Sequence, residues 1–328
     1  MVNLGYQMTA LEEFHRSATV LSNVRAHERA MLIEMTLPKP TQLPRSARFL
    51  AEEILWPFPP PDWSSAISAT HIWAIPLDLN PAAVEEFHAT LAPAERERAA
   101  RFHFSRDRDR FVVGRGALRH ILGRCLQTAP TKLRFTYGPH GKPSLEHGAE
   151  ESGLQFNLAH SDGLALLAVT RAAQIGVDLE RVRPLKDADG LVTRFFFPRE
   201  ITTFQSLPED QKPAAFFNLW TRKEAWLKAI GEGIGYSLNL VEVSFLPGEP
   251  ARLLALPEAP HANSSGGTSS IGTLSTASLN LPELPDAPQA ATHWNLHDLT
   301  PAPGFAAALA IPRADTRLQC WRWPNICD

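Results

Sequence analysis

Two stretches of this sequence have compositions that cannot pack, and they confine everything else. Seven prolines fall between Pro38 and Pro61, a density that removes backbone donors and excludes a packed helix or a central strand. Farther on, twelve of the sixteen residues from Asn263 to Ser278 are Gly, Ser or Thr. Such a run buries too little apolar surface to offset its ordering entropy. The compact body is therefore expected over about 68–256 plus 291–313. Residues 1–66 read as a partly proline-rich extension that opens with a helix-like stretch from Leu11 to Met35, 257–288 as a flexible insertion, and 314–328 as a C-terminal tail.

The rest of the chain has the make-up of an ordinary folded protein. With 44% hydrophobic and 20% charged residues, a disordered chain, a collagen-like fibre and a membrane bundle are excluded. Thirty-two basic against thirty-five acidic residues leave a net charge of −3, so there is no general attraction for nucleic acid or anionic membrane, and any anion site has to be local. Cys125, Cys320 and Cys327 are too few and too scattered for a disulfide framework or a four-ligand zinc site, which makes a reducing cytoplasm the expected compartment. Charges at Glu12, Glu13, His15, Arg16 and Arg25 interrupt any signal-peptide pattern, and no apolar run approaches the roughly 20 residues needed to span a bilayer.

Hydrophobic periodicity divides the body in two. A strand at Thr70 to Pro76 precedes helices at Pro81 to Leu91, Pro93 to Phe102 and Ser105 to Gln127; strands follow at Leu133 to Tyr137, Leu154 to Ala159, Leu164 to Thr170 and Gln174 to Glu180. The order then recurs, with helices near Leu191 to Phe196, Pro198 to Leu207 and Gln211 to Ile230 and strands near Val241 to Phe245, His293 to Leu299 and Phe305 to Ile311. Two similar α+β lobes, 67–172 and 173–313, are the expected architecture.

Chemistry concentrates at a few places. In Ile175-Gly176-Val177-Asp178-Leu179-Glu180 alternation sends Ile175, Val177 and Leu179 to a core and sets Asp178 and Glu180 on the other face, about 7 Å apart. Paired carboxylates cost least when both are solvated or when a cation lies between them. On the helix from Gln211 to Ile230, Glu224 and Lys228 lie one turn apart on the flank of the apolar stripe, where an i,i+4 ion pair is one outcome. Lys223 falls inside the apolar arc, so its ammonium must snorkel or meet an anion. Gly231-Glu232-Gly233-Ile234-Gly235 follows its helix instead of preceding one and reads as a C-cap and turn, not a phosphate loop. Gly138-Pro139-His140-Gly141-Lys142-Pro143 is a tight turn carrying a lysine, and Asn157-Leu158-Ala159-His160-Ser161 ends a strand with a polar cluster. From Ala94 to Arg124 nine arginines face four acids, either a solvated helix face or a patch for phosphate groups. His293 and His297 share one strand face without a third ligand, which is no metal site.

Gly141-Lys142-Pro143, Asn157-Leu158-Ala159-His160-Ser161, Gly176-Val177-Asp178-Leu179-Glu180 and Trp220-Thr221-Arg222-Lys223-Glu224-Ala225, with Lys228 and Gly231-Glu232-Gly233 after them, resemble in order and spacing the signature of the Sfp-type 4′-phosphopantetheinyl transferases. The resemblance runs over about 69–312 and omits the first 60 or so residues. It implies a pseudo-dimer of two α+β lobes with coenzyme A in the cleft between them. The implied reaction is transfer of the phosphopantetheine arm to a serine of an apo acyl or peptidyl carrier protein, with adenosine 3′,5′-bisphosphate released. Asp178, Glu180 and Glu224 would hold Mg²⁺ on the pyrophosphate, Lys228 would offset its charge, and Glu224 is the candidate base. His160 would donate to coenzyme A at the 3′-phosphate, with Lys142 near the nucleotide and Arg98 and Arg101 as further phosphate contacts. Ala159 stands where the family has serine, and Thr221 replaces another serine conservatively. Two other readings use the same acids: a Mg²⁺-dependent phosphodiester or pyrophosphate hydrolase, and a non-catalytic paralogue that binds carrier proteins. A monomer is expected, because one chain supplies both sides of the cleft.

Overall fold

A computed structural model of the chain describes residues 53–64, 69–146, 152–171, 174–232, 238–256, 294–312 and 317–323. The Leu11 to Met35 stretch and the 257–288 insertion lie outside the described residues. The elements in chain order are β1 (Thr70–Pro76), α1 (Pro81–Thr90), α2 (Pro93–Ala100), α3 (Ser105–Leu126), β2 (Phe135–Tyr137), β3 (Pro143–Leu145), β4 (Gln155–Ser161), β5 (Leu164–Thr170) and β6 (Gly176–Arg181). They continue with α4 (Ala188–Phe195), α5 (Pro198–Gln205), α6 (Lys212–Ile230), β7 (Glu242–Val243), β8 (Leu253–Ala255), β9 (Trp294–Leu299), β10 (Phe305–Pro312) and β11 (Leu318–Arg322).

Local sequence fixes many of the joints. Pro81 opens α1 while the Asn80 side chain accepts from the N–H of Ala83, satisfying a donor the helix leaves orphaned. Between β4 and β5 the chain reverses in two residues, Asp162 and Gly163, at φ 42° and 87°. That is the left-handed pair a tight hairpin requires and an Asp-Gly dipeptide supplies.

The molecule is a stack of two α+β lobes with the sheets innermost. The first sheet has the order β11-β1-β5-β4 and the second β6-β10-β9. Alternation assigns the faces. Trp73, Ile75, Leu167 and Val169 meet Val113, Leu118 and Ile121 of α3 on the outside. Ile72, Leu166, Ile175, Val177, Leu179 and Leu309 fill a core shared by the two sheets. On the far side, Ala306, Ala308 and Ala310 of β10 receive Phe216, Trp220 and Trp226 of α6. The sheets are also joined at one edge, where the Val177 N–H donates to Asn157 Oδ1 at 2.8 Å and the Arg181 N–H to Ser161 Oγ at 3.1 Å.

Three differences from the sequence reading are informative. Residues 318–322, expected in a tail, form β11, which pairs in parallel with β1 from Thr70↔Leu318 to Ala74↔Arg322. The end of the expected extension packs as well: Ile54 enters the shared core, Trp63 lies edge-on to Trp73 at 4.4 Å between ring centroids, and the Arg322 N–H donates to the Pro57 carbonyl. The β11–β1 pairing and the Arg322–Pro57 bond each join residues more than 200 apart in the chain, which no local pattern reports. Finally, α6 has no solvated flank, because it is buried all round from Leu219 to Leu227.

Candidate active site

The acids meet where α6 crosses β6. Gly176, Asp178 and Glu180 face the helix, and the approach is so close that a Cβ on Gly176 would lie 2.0 Å from the Ala225 carbonyl oxygen. Only glycine permits it. Asp178 Oδ1 accepts from Lys228 Nζ at 2.5 Å, so Lys228 is drawn across to β6 in place of an i,i+4 pairing with Glu224. Glu180 Oε2 accepts from Ser161 Oγ at 2.9 Å, and the same hydroxyl receives the Arg181 N–H. Ser161 thus orients an acid as well as joining the lobes.

Asp178, Glu180 and Glu224 are all buried. Burial raises the Asp178 carboxyl against the pull of Lys228. Burial, and then repulsion from Asp178, push Glu180 up to about 8. Glu224 rises to about 7, again through burial, with Lys228 opposing and Asp178 adding. Burial would lower Lys228, but the fields of Asp178, Glu224 and Glu180 outweigh it and hold the ammonium above its ordinary range. Lys228 is thus shared among three buried carboxyls, with Arg183 acting on Glu180 as well, and Asp178 Oδ2 and Glu224 Oε1 have no hydrogen-bond partner. Among the described residues no three His, Cys, Asp or Glu side chains form a ready-made metal cage. The unpartnered oxygens nevertheless fit Mg²⁺, which takes one or two protein carboxylates and completes its shell with phosphate oxygens and water.

His160, at the end of β4, is half-buried. Burial, with the positive fields of Lys228, Arg110 and Arg98, holds its imidazole near 4, so at neutral pH it is uncharged with one N–H to donate. Arg98 is exposed and lies over the Phe111 ring at 5.3 Å. Arg101 caps α2 in an exposed position. Arg110, which sequence reasoning did not single out, faces the same region but is held in a two-pronged bond to Asp78 at 2.6 and 2.7 Å. Lys142 departs from expectation: its three donors go to the carbonyls of Ile175, Lys228 and Ala229 at 3.1, 2.5 and 3.1 Å. A nucleotide contact would require it to release one of them. Ala159 is buried in the apolar core between the sheets. The Thr221 hydroxyl donates to the Phe217 carbonyl. Lys223 does not join these acids and pairs instead with Glu200.

A cleft of about 580 Å³ opens beside the last turn of α6, lined by Gly138, His140, Lys142, Phe156, Ile230 and Glu232 among others. His140 and Glu232 pair across it at 3.4 Å. The acids are not in its wall; α6 connects the two places, with Lys228 one turn before Glu232.

Comparison with known proteins accounts for both lobes. Residues 80–172 match a family model described as 4′-phosphopantetheinyl transferase, N-terminal, and residues 174–274 one described as the 4′-phosphopantetheinyl transferase superfamily. The 4′-phosphopantetheinyl transferase HetI of Nostoc sp. is 46% identical over 202 residues, covering 62% of this chain and 85% of HetI. The 4′-phosphopantetheinyl transferase psf-1 of Bacillus pumilus is 32% identical over 156 residues, 48% of this chain and 64% of the relative. Sfp of Bacillus subtilis is 27% identical over 159 residues, 48% and 68% respectively. With successive models matched along the two lobes and HetI overlapped through most of its length, the chain belongs to the 4′-phosphopantetheinyl transferase superfamily.

Proposed function

We propose that the site between β6 and α6 transfers the phosphopantetheine arm of coenzyme A to a serine of an apo acyl or peptidyl carrier protein in a Mg²⁺-dependent reaction. The observation that carries this reading is the group of three buried carboxyls facing a single ammonium, with oxygens of Asp178 and Glu224 unpartnered. Asp178, Glu180 and Glu224 are the residues that would hold Mg²⁺, which when bound neutralises charge on a pyrophosphate. Lys228 supplies a fixed positive charge at the same place. Phosphoryl transfer asks a protein chiefly for alignment and charge neutralisation.

The serine oxygen forms a bond to the β-phosphorus while the bond from that phosphorus to the bridging oxygen breaks, and adenosine 3′,5′-bisphosphate leaves with the electron pair. Glu224, directly or through a water, takes the serine proton. His160 donates its imidazole N–H to coenzyme A at the 3′-phosphate, and Arg98 and Arg101 stand on the exposed side for further phosphate contacts. Carrier proteins and coenzyme A are the proposed partners, without nucleic acid or membrane. The proposed enzyme is a cytoplasmic monomer. Among the described residues no helix is long and apolar enough to cross a membrane.

The test is a mass measurement. Purified protein, coenzyme A, Mg²⁺ and a panel of apo carriers should yield carriers heavier by one phosphopantetheine, and EDTA, Asp178→Ala or Glu224→Ala should abolish the gain. Nucleotide release without an acceptor would instead indicate a hydrolase. Tight coenzyme A binding that EDTA leaves unchanged, with no carrier modified, would indicate a non-catalytic binder.

A further inference from the structure

Lys223 precedes the proposed catalytic Glu224 directly, yet it does not join the acids there. Its ammonium lies against Glu200 Oε2 at 2.7 Å, with side-chain exposures of 1% and 2%. It also donates to the carbonyls of Leu238, at 2.8 Å, and Val241. An ammonium has three donors, and all three are engaged, so none is left for a ligand. Glu200 is equally committed: it accepts from the N–H of Phe197 at the start of α5 at 2.9 Å and from the N–H of Val243 in β7 at 2.8 Å.

Replacing such a pair by neutral groups of similar shape is often neutral or stabilising, so stability alone is a weak reason for burying it. Its geometry supplies another. Residues 223 and 224 project about 100° apart around α6, and the helix is already pressed on Gly176 along one side. We propose that Lys223 is a positioning residue: by tying α6 to Glu200 and to the Leu238 and Val241 carbonyls, it fixes the rotation of the helix about its axis and so aims Glu224 and Lys228 at Asp178. This rests on the transferase reading.

The experiment compares the unmodified chain with the Lys223→Met/Glu200→Gln double variant, which removes both charges, keeps the length of the residue at 200 and shortens that at 223 by one atom. Loading of carrier by the unmodified protein is measured first; if it loads none, the transferase reading fails there and the inference falls with it. The double variant should melt cooperatively but at a lower temperature, since the buried Leu238 and Val241 carbonyls lose their donor; assayed where it is fully folded, it should keep KM for coenzyme A and for carrier and lose between about ten- and a hundredfold in kcat, the scale of a small misplacement of reacting groups. An unchanged kcat in the folded variant overturns the proposal. So does a loss that tracks only the fraction unfolded, or one that appears in KM for coenzyme A. If the double variant does not fold, Glu200→Asp, which keeps the buried charge but shortens the tether to Lys223, carries the same comparison, and an unchanged kcat there overturns it too.

Discussion

A buried carboxyl without a hydrogen-bonded cation is held there against its own solvation, and Glu224 is such a group, with one oxygen unpartnered and only the field of Lys228 to offset its charge. Glu224→Gln should therefore lower carrier loading by about 10²–10⁴-fold, the usual contribution of a positioned base, while the melting temperature stays level or rises. A variant that loses activity and stability together would show that Glu224 is structural. Gly176 makes the opposite demand. Gly176→Ala drives a Cβ into backbone atoms, 2.0 Å from the Ala225 carbonyl oxygen and 2.3 Å from the Ala229 nitrogen, and backbone cannot turn aside. A loss of about 1–3 kcal/mol in chemical denaturation, typical of overpacking, is expected, with activity reduced as α6 shifts from β6. At this scale the sequence was readable where alternation applies: Asp178 and Glu180 share a face, as expected. It gave no sign of Ser161 or Asn157 as supports, because a strand residue's hydroxyl or amide acquires its partner only when a second strand arrives beside it.

Among the elements, α2 and α3 show how a run of like charges is dismantled by packing. Two of the nine arginines between Ala94 and Arg124, Arg115 and Arg119, are buried on Glu95 at 2.6 and 2.7 Å. Arg119 also donates to the carbonyls of Pro130 and Leu133. Arg106 and Arg108 pair with the neighbouring Asp107 and Asp109. Neither a wholly solvated face nor a continuous phosphate patch describes this region, and charge counting could not tell them apart from a buried clamp. Burial alone would raise the Glu95 carboxyl, but Arg115, Arg119 and the Ala92 N–H together hold it below its ordinary range. Its folded pKa is depressed, so the stabilisation is complete above the unfolded value and disappears as pH falls through the folded one. Urea denaturation of the unmodified chain and of Glu95→Gln, from pH 7 downward, should show a stability gap that closes in acid. A gap that is constant with pH would contradict the clamp. The strands β2, β3, β7 and β8, two or three residues each, are too short for periodicity to define, and only the first and third had been anticipated within longer runs.

At the scale of the molecule, the site exists because two lobes share one core and one edge. Asn157 stands in for a ladder bond between β4 and β6 by accepting the Val177 N–H. In Asn157→Ala that donor is left buried and unpaired, which should cost about 1–3 kcal/mol and, by loosening β6 near Asp178, lower carrier loading as well. An unchanged denaturation midpoint would mean that water or another acceptor replaces the amide. The two-lobed α+β plan, the principal strands and helices and the face carrying the paired acids all follow from short-range rules of alternation, helical period and turn chemistry, and these are written in the sequence by itself. The burial of Glu224, the choice of Asp178 over Glu224 by Lys228, the turning of Lys142 and Lys223 onto carbonyls and the docking of β11 on β1 were settled only in the tertiary structure. Each depends on which charged or hydrogen-bonding group arrives from a distant part of the chain, and side chains long enough to choose between partners make that choice in space, not along the sequence.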